Sequence, residues 1–239
     1  MNNFDKPFRK LEWDSSFFGI RIGEIQKNFF TFNNPENLLK ELAENKVKLV
    51  YYYSNELLQE TKSEFYNFNL ILKKTPIQKD LLHETILPDN ISFYRGSLPN
   101  EELLNLAYRA GEWSRFSFDP NIPKEKVREL YKSWMIKSVQ KEMASEILVY
   151  KNEDKILGMV TLVINPPLGK TPLFAVKREA EGKGVSFALM KAADAVLYKN
   201  GCSSYISATQ AENRAALTIF RRHGFQIKPV EYVYHLWEK

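Results

Sequence analysis

The apolar run Leu173-Phe174-Ala175-Val176 leads into a charged stretch, then Gly182-Lys183-Gly184, then a segment in which Val185, Ala188, Leu189, Ala192, Ala193, Val196 and Leu197 share one helical stripe. No other part of the chain constrains the fold as strongly. A buried strand, a glycine loop and an apolar-striped helix in close succession require a sheet with that helix packed on it. Gly201 marks the end of the helix. The first amides of a helix have no acceptor within it, and glycines just before them let an anion come close to the backbone. The geometry therefore suits phosphate through main-chain donors, with no particular side chain required. Two glycines at this spacing also fit an ordinary structural turn.

The neighbouring segments extend the pattern. Downstream, Tyr205–Thr209 reads as a strand, Asn213–His223 as a helix closed by Gly224, and Glu231–Trp237 as a final strand. Upstream come a short strand at Ile91–Arg95, a helix at Pro99–Tyr108, a loop from Gly111 to Asn121 and a helix from Pro123 to about Lys141. A hairpin follows, Ile147–Lys151 and Lys155–Asn165, turning at Asn152-Glu153-Asp154, with Gly158 as the position for a bulge. The turn chemistry of Leu87-Pro88-Asp89-Asn90 predicts a domain boundary, giving residues 1–89 and 90–239. The first part reads as a smaller α/β unit. Its strands fall at Phe8–Trp13, Arg21–Lys27 and Lys48–Tyr53, its helices at Glu36–Ala43 and Asn55–Phe65, and a turn carrying Phe17 and Phe18 at Asp14–Gly19.

Composition narrows the function. With 44% hydrophobic and 26% charged residues in 239, the chain is globular and long enough to bury a core. The net charge of +5 is unevenly placed: residues 1–89 carry 12 basic and 13 acidic side chains, residues 90–239 carry 22 and 16. The second part is basic, yet it has no Lys/Arg run longer than two and no zinc-finger or basic-helix pattern. An anionic small molecule is a better partner than nucleic acid. Apolar runs such as Lys48–Tyr53 and Ile156–Ile164 are far below the roughly 18 residues that cross a bilayer, so no membrane anchor is expected. Met1–Lys10 has no apolar stretch behind it, and the one cysteine, Cys202, allows no internal disulfide. A cytoplasmic protein is expected, with room for a homodimer and with no metal.

About thirty residues after the glycine loop comes Asn213-Arg214-Ala215-Ala216, with Phe220, Gly224 and Phe225 beyond it. Together with the loop, this resembles the GCN5-related N-acetyltransferase (GNAT) superfamily over some 150 residues, from Ile91 to Trp237. The resemblance implies an α/β (α+β) fold, a mixed and mostly antiparallel central sheet flanked by helices, preceded here by the smaller N-terminal unit. It also implies acetyl-CoA as cosubstrate. Two further stretches, Leu11-Glu12-Trp13-Asp14-Ser15-Ser16-Phe17-Phe18-Gly19 and Ala110-Gly111-Glu112-Trp113-Ser114-Arg115-Phe116, are similar to signatures of the TDP-fucosamine acetyltransferase group. That group acetylates the 4-amine of a nucleotide-linked 4-amino-4,6-dideoxyhexose in bacterial surface polysaccharide synthesis. The alternatives are a peptide or protein amine as acceptor, or an acyl-CoA-binding domain without turnover.

The resemblance implies roles for individual residues. Phe174 and Val176 lend backbone groups to the pantetheine arm, and Gly182, Lys183, Gly184, Val185 and Ser186 hold the pyrophosphate through main-chain amides. Asn213, Ala216 and Phe220 fall on the coenzyme side, although Asn213 also suits a helix N-cap. Two positions depart from the family pattern. Glu181 stands where the loop carries arginine or glutamine, with Lys177, Arg178 and Lys183 as candidates to offset it, and Ser186 replaces the last small residue. Phe220 stands where many members have a tyrosine that protonates the departing thiolate, and a phenyl ring cannot donate a proton. Tyr232, Tyr234 and His235 are the candidates for acid and base work. In the loop before Pro123, Arg115 is a candidate for a nucleotide phosphate, Phe116 for a base, and Asp119 for the acceptor. An exposed ion pair and a core aromatic are the plainer readings of Arg115 and Phe116.

Overall fold

The structure is a computed structural model that describes residues 7–32, 35–58, 63–82 and 86–239. The chain forms two compact units: residues 1–75, 210–212 and 229–239 make the first, and residues 76–209 and 213–228 the second. The division falls inside a strand, Tyr66–Asp80. The turn at Leu87–Asn90 is therefore not the boundary. The last residues of the chain return to the first unit, a long-range pairing that no local turn signal announces.

In the first unit the elements are β1 (Phe8–Lys10), α1 (Glu12–Phe18), β2 (Ile22–Ile25), α2 (Phe29–Phe32), α3 (Glu36–Glu44), β3 (Leu49–Ser54) and the Tyr66–Thr75 part of β4 (Tyr66–Asp80). Its last strand, Glu231–Glu238, is numbered β12 below. The strand order is β1-β2-β3-β12-β4, with β2 parallel to β3 and the other pairs antiparallel. Leu39 and Leu42 of α3 pack with Ile25, Val50, Tyr52, Tyr66, Tyr234 and Leu236 in its core. Asp14–Gly19 is the end of a helix and not a turn. Gly19 closes α1 at φ 71°, and the Ser15 hydroxyl binds the Leu11 and Ile22 carbonyls. The helix expected at Asn55–Phe65 covers residues 59–62, which lie outside the described residues, and 55–58 and 63–65 are not helical.

The second unit continues with β5 (Ile91–Phe93), α4 (Glu101–Gly111), α5 (Arg115–Phe118), α6 (Lys124–Val139), β6 (Glu146–Asn152), β7 (Lys155–Asn165), β8 (Leu168–Lys170), β9 (Phe174–Val176), α7 (Val185–Lys199), β10 (Ser204–Gln210), α8 (Arg214–Arg222) and β11 (Gln226–Ile227). Strands β5, β6 and β7 lie side by side and antiparallel, and the register shifts between Tyr150 and Lys151, opposite Gly158, as the glycine suggests. β8 pairs antiparallel with β7 and parallel with β10, while β9 pairs with β7 and β11 with β4. The apolar stripe of α7 packs on this sheet, where Val185, Leu189, Ala192, Ala193, Val196 and Leu197 join Leu148, Val160 and Leu162. The expected loop at Gly111–Asn121 contains a helical turn, α5, capped by the Ser114 side chain.

Candidate active site

The site is built where one strand leaves the sheet. β8 and β9 both pair with β7, but Thr171, Pro172 and Leu173 separate them. Up to Thr171 the chain stays on β10: the Thr171 amide donates to the Ile206 carbonyl at 3.3 Å, and its hydroxyl bonds with that of Tyr205. Pro172 has no N–H to continue the ladder. Beyond it, β9 pairs only with β7 among the described residues. The Thr161 amide donates to the Leu173 carbonyl (2.9 Å) and the Lys177 amide to the Leu157 carbonyl (2.8 Å). By antiparallel alternation, Phe174 and Val176 then direct their backbone groups away from β7, onto an open edge. The Phe174 ring lies 6.5 Å from that of Phe220.

At the end of β9 a 3-10 turn, Arg178–Ala180, leads into the glycine loop. Gly182 and Gly184 have φ of 74° and 81°, and a Cβ on either would meet nothing within 4 Å. The glycines are required by backbone conformation, and the space in front of them is open. No side chain caps α7, and the amides of Gly182, Gly184, Val185, Ser186 and Phe187 have no acceptor among the described residues. A row of donors at a helix N-terminus therefore faces outward beside the open edge of β9.

Residues 107–225 match the Acetyltransferase (GNAT) family. That segment belongs to the GNAT family. Solved structures agree on the fold. A GCN5-related N-acetyltransferase from Sphaerobacter thermophilus aligns with a TM-score of 0.55 at 16% identity, covering 97% of this chain and 76% of that one. A tandem GNAT protein from the clavulanic acid biosynthesis pathway gives 0.54 at 13%, covering 91% and 75%. The PaiA N-acetyltransferase of Thermoplasma acidophilum, solved in complex with coenzyme A, gives 0.50 at 17%, covering 61% and 97%. Among curated proteins, the spore coat polysaccharide biosynthesis protein SpsD of Bacillus subtilis is 25% identical over 137 residues, 57% of this chain. The chain spans about half (47%) of that relative's length.

The GNAT loop is held in place from α4. Lys177 pairs with Glu102 at 2.6 Å, Arg178 with Glu112 at 3.4 Å, and Arg109 with Glu181. Arg109 also donates to the Val176 carbonyl on the edge of β9. The cation facing Glu181 is therefore Arg109, not the neighbouring Lys177 or Arg178, which α4 carboxylates occupy. A glutamate in this loop position is answered from another element, and only the opposed charges along α4 hint at it in the sequence. Burial would raise the Glu102 pKa, but hydrogen bonds from Lys177 and the Ile156 amide outweigh it and hold the carboxyl below its usual value.

Other expected residues fall in plainer places. Asn213 is the N-cap of α8, its side chain accepting from the Ala216 amide at 3.1 Å, so these two residues serve each other. Phe220 is 4% exposed and packs edge-on to Phe225, a core ring beside Phe174. Phe116 is 4% exposed against Trp134, and Asp119, 2% exposed, accepts from the Asn121 amide. Phe116 is thus unavailable for stacking on a base. Arg115 is half-buried, with its guanidinium carbon 4.5 Å from the Phe116 ring centroid. Tyr232, Tyr234 and His235 lie on β12, in the first unit. The Tyr234 hydroxyl accepts from the Leu58 amide, and burial raises its pKa. His235 is fully buried, 4.9 Å from the Tyr51 ring.

Missing from the sequence reading is a groove of about 650 Å³ along α4 and α6, lined by residues that include Asn105, Tyr108, Arg109, Glu112, Arg128 and Tyr131. Arg109 belongs both to this groove and to the β9 edge. Periodicity shows only that the two helices bury apolar stripes, not what their polar faces enclose.

Proposed function

We propose that the chain is an acetyl-CoA-dependent N-acetyltransferase that passes the acetyl group directly to a primary amine, the 4-amine of a nucleotide-linked amino-deoxy sugar used in surface polysaccharide synthesis. The observation that carries the coenzyme half is the open edge of β9 running into five unpaired amides at the start of α7. The outward backbone groups of Phe174 and the amide of Val176, whose carbonyl is held by Arg109, suit the amides of a pantetheine arm, and the loop amides suit a pyrophosphate. Acetyl-CoA would supply the thioester. The acceptor amine must be neutral to attack, and holding it against the edge of β9 makes the reaction effectively unimolecular. Phe220 donates no proton, so the thiolate takes its proton from another donor or leaves as the anion. The carbohydrate half is supported by the similarity to a spore coat polysaccharide biosynthesis protein. Cytoplasmic location follows from the same reading, since nucleotide sugars are cytoplasmic substrates.

The test is calorimetric and mass-spectrometric. Acetyl-CoA should bind the wild-type protein, and the Gly184→Val variant should lose that affinity, because valine is strained at φ 81° and its side chain would stand in front of the amides. A panel of nucleotide-linked amino sugars should then show one acceptor gaining the 42 Da of an acetyl group, a mass fixed by the chemistry. Unchanged acetyl-CoA affinity in Gly184→Val would sink the coenzyme assignment; acetylation of peptides alone would sink the acceptor.

A further inference from the structure

We propose that the groove along α4 and α6 binds an anionic group of the acceptor, a phosphate or a carboxylate, on the guanidinium of Arg128. The inference rests on the acetyltransferase reading and concerns its acceptor side. The groove has the volume of a small-molecule site. Arg109, Lys124 and Arg128 are the cations that line it, and they differ in what they already do. Arg109 is committed to Glu112, Glu181 and the Val176 carbonyl. Lys124 is a flexible point charge in the first turn of α6. Arg128 has no carboxylate or carbonyl partner among the described residues, and its guanidinium carbon lies 3.9 Å from the centroid of the Tyr108 ring.

Stacking of this kind fixes the plane of a guanidinium and leaves its N–H edge free, the arrangement that accepts a phosphate or carboxylate in bidentate fashion. The carboxylates of the groove do not compete strongly. Glu112 is shared by Arg109 and Arg178, and Glu125, one turn before Arg128, forms no ion pair with it. Tyr131 remains a neutral donor, its pKa raised by burial against the opposing influence of Ser114 and Arg115. Because Arg109 joins this groove to the edge of β9, an acceptor anchored by its anion at Arg128 extends toward the strand that receives the acyl donor.

The experiment is titration calorimetry on the full chain with three probes, thymidine diphosphate, thymidine and glucuronate, in the wild type and in Arg128→Ala, Arg128→Lys and Tyr108→Leu. Acetyl-CoA is titrated into each as a control. The expected result is diphosphate binding that weakens about tenfold or more in Arg128→Ala and is partly restored in Arg128→Lys, the scale of a charge-assisted bidentate contact. Tyr108→Leu should weaken it as well by freeing the guanidinium. Thymidine binding should not depend on Arg128, and acetyl-CoA affinity should stay unchanged in all variants. Glucuronate bound in place of the diphosphate, with the same dependence on Arg128, would support the anion site and name a carboxylate as its ligand. No anion bound by the wild type, anion binding indifferent to Arg128→Ala, or a parallel loss of acetyl-CoA would overturn the proposal. Loss of acetyl-CoA binding in the wild type with diphosphate binding retained would instead overturn the acetyltransferase reading alone.

Discussion

Phe220 packs where the resemblance expects a proton donor. Its ring sits between Phe174 and Phe225 at 4% exposure, so Phe220→Ala removes a buried aromatic and should cost about 3–5 kcal/mol, read from denaturant melts. Phe220→Tyr keeps the ring and adds a para hydroxyl. If that hydroxyl reaches the leaving sulfur, kcat rises by as much as general acid catalysis provides, about 10²-fold or more; without that reach it stays at the parent value. A fall in kcat at unchanged melting temperature would show that the apolar ring face itself lines the acyl pocket. Asn213 is a motif residue whose visible work is capping. Asn213→Ala should destabilise α8 by about 1 kcal/mol, and a matching loss of acetyl-CoA affinity would show that the cap also serves the coenzyme.

Between elements, charge does what apolar packing does within them. Glu102 and Arg109 of α4 and Glu112 at its C-cap face Lys177, Glu181 and Arg178, and the segment leading to the glycine loop is fastened by these pairs. The Glu102 carboxyl is held below its usual value of 4.5, so its pair with Lys177 stabilises the fold fully above the unfolded value and loses that contribution as pH falls through the folded one. Thermal melts between pH 6 and about pH 3 should therefore fall less steeply for Glu102→Gln than for the wild type; parallel curves would refute the linkage. In the same unit Asp194 of α7 is bound by Lys79 of β4 at 2.7 Å and by His223 at 2.8 Å, all three largely buried. Asp194→Ala leaves the lysine without its counter-charge and should cost about 3–5 kcal/mol. A melting temperature unchanged in that variant would mean that solvent reaches Lys79 readily.

For the molecule as a whole, the last strand matters most. β12 lies between β3 and β4 in the first unit, with Tyr232–Trp237 opposite Ser54–Leu49 and Glu231–Glu238 opposite Lys74–Tyr66. Removing residues 231–239 takes out a central strand, and amide exchange along β3 should then lose its protection; protection retained in the truncated chain would contradict this placement. Sequence periodicity could identify β12 as a strand but not its neighbours, since its partners lie more than 150 residues away. β4 was not legible at all, because Asn67, Asn69, Lys73, Lys74 and Pro76 break its apolar pattern and pairing on both sides compensates. The hairpin of β6 and β7, the helices α4, α6, α7 and α8, and the glycine loop were all readable in the amino acids. Each is set by local physics: apolar period, caps and residues that tolerate positive φ. The acetyltransferase resemblance was readable for the same reason, since a loop that binds through backbone amides must spell its glycines in order. What folding alone decided is where residues distant in sequence meet: Arg109 against Glu181, Arg128 on Tyr108 beside an open groove, and Phe116 and Asp119 turned into the core. Local spacing determines which face of an element a side chain occupies, but the neighbour it meets there depends on packing between elements, and the same arginine can be a surface charge or an anchor according to which ring or carboxylate that packing brings to it.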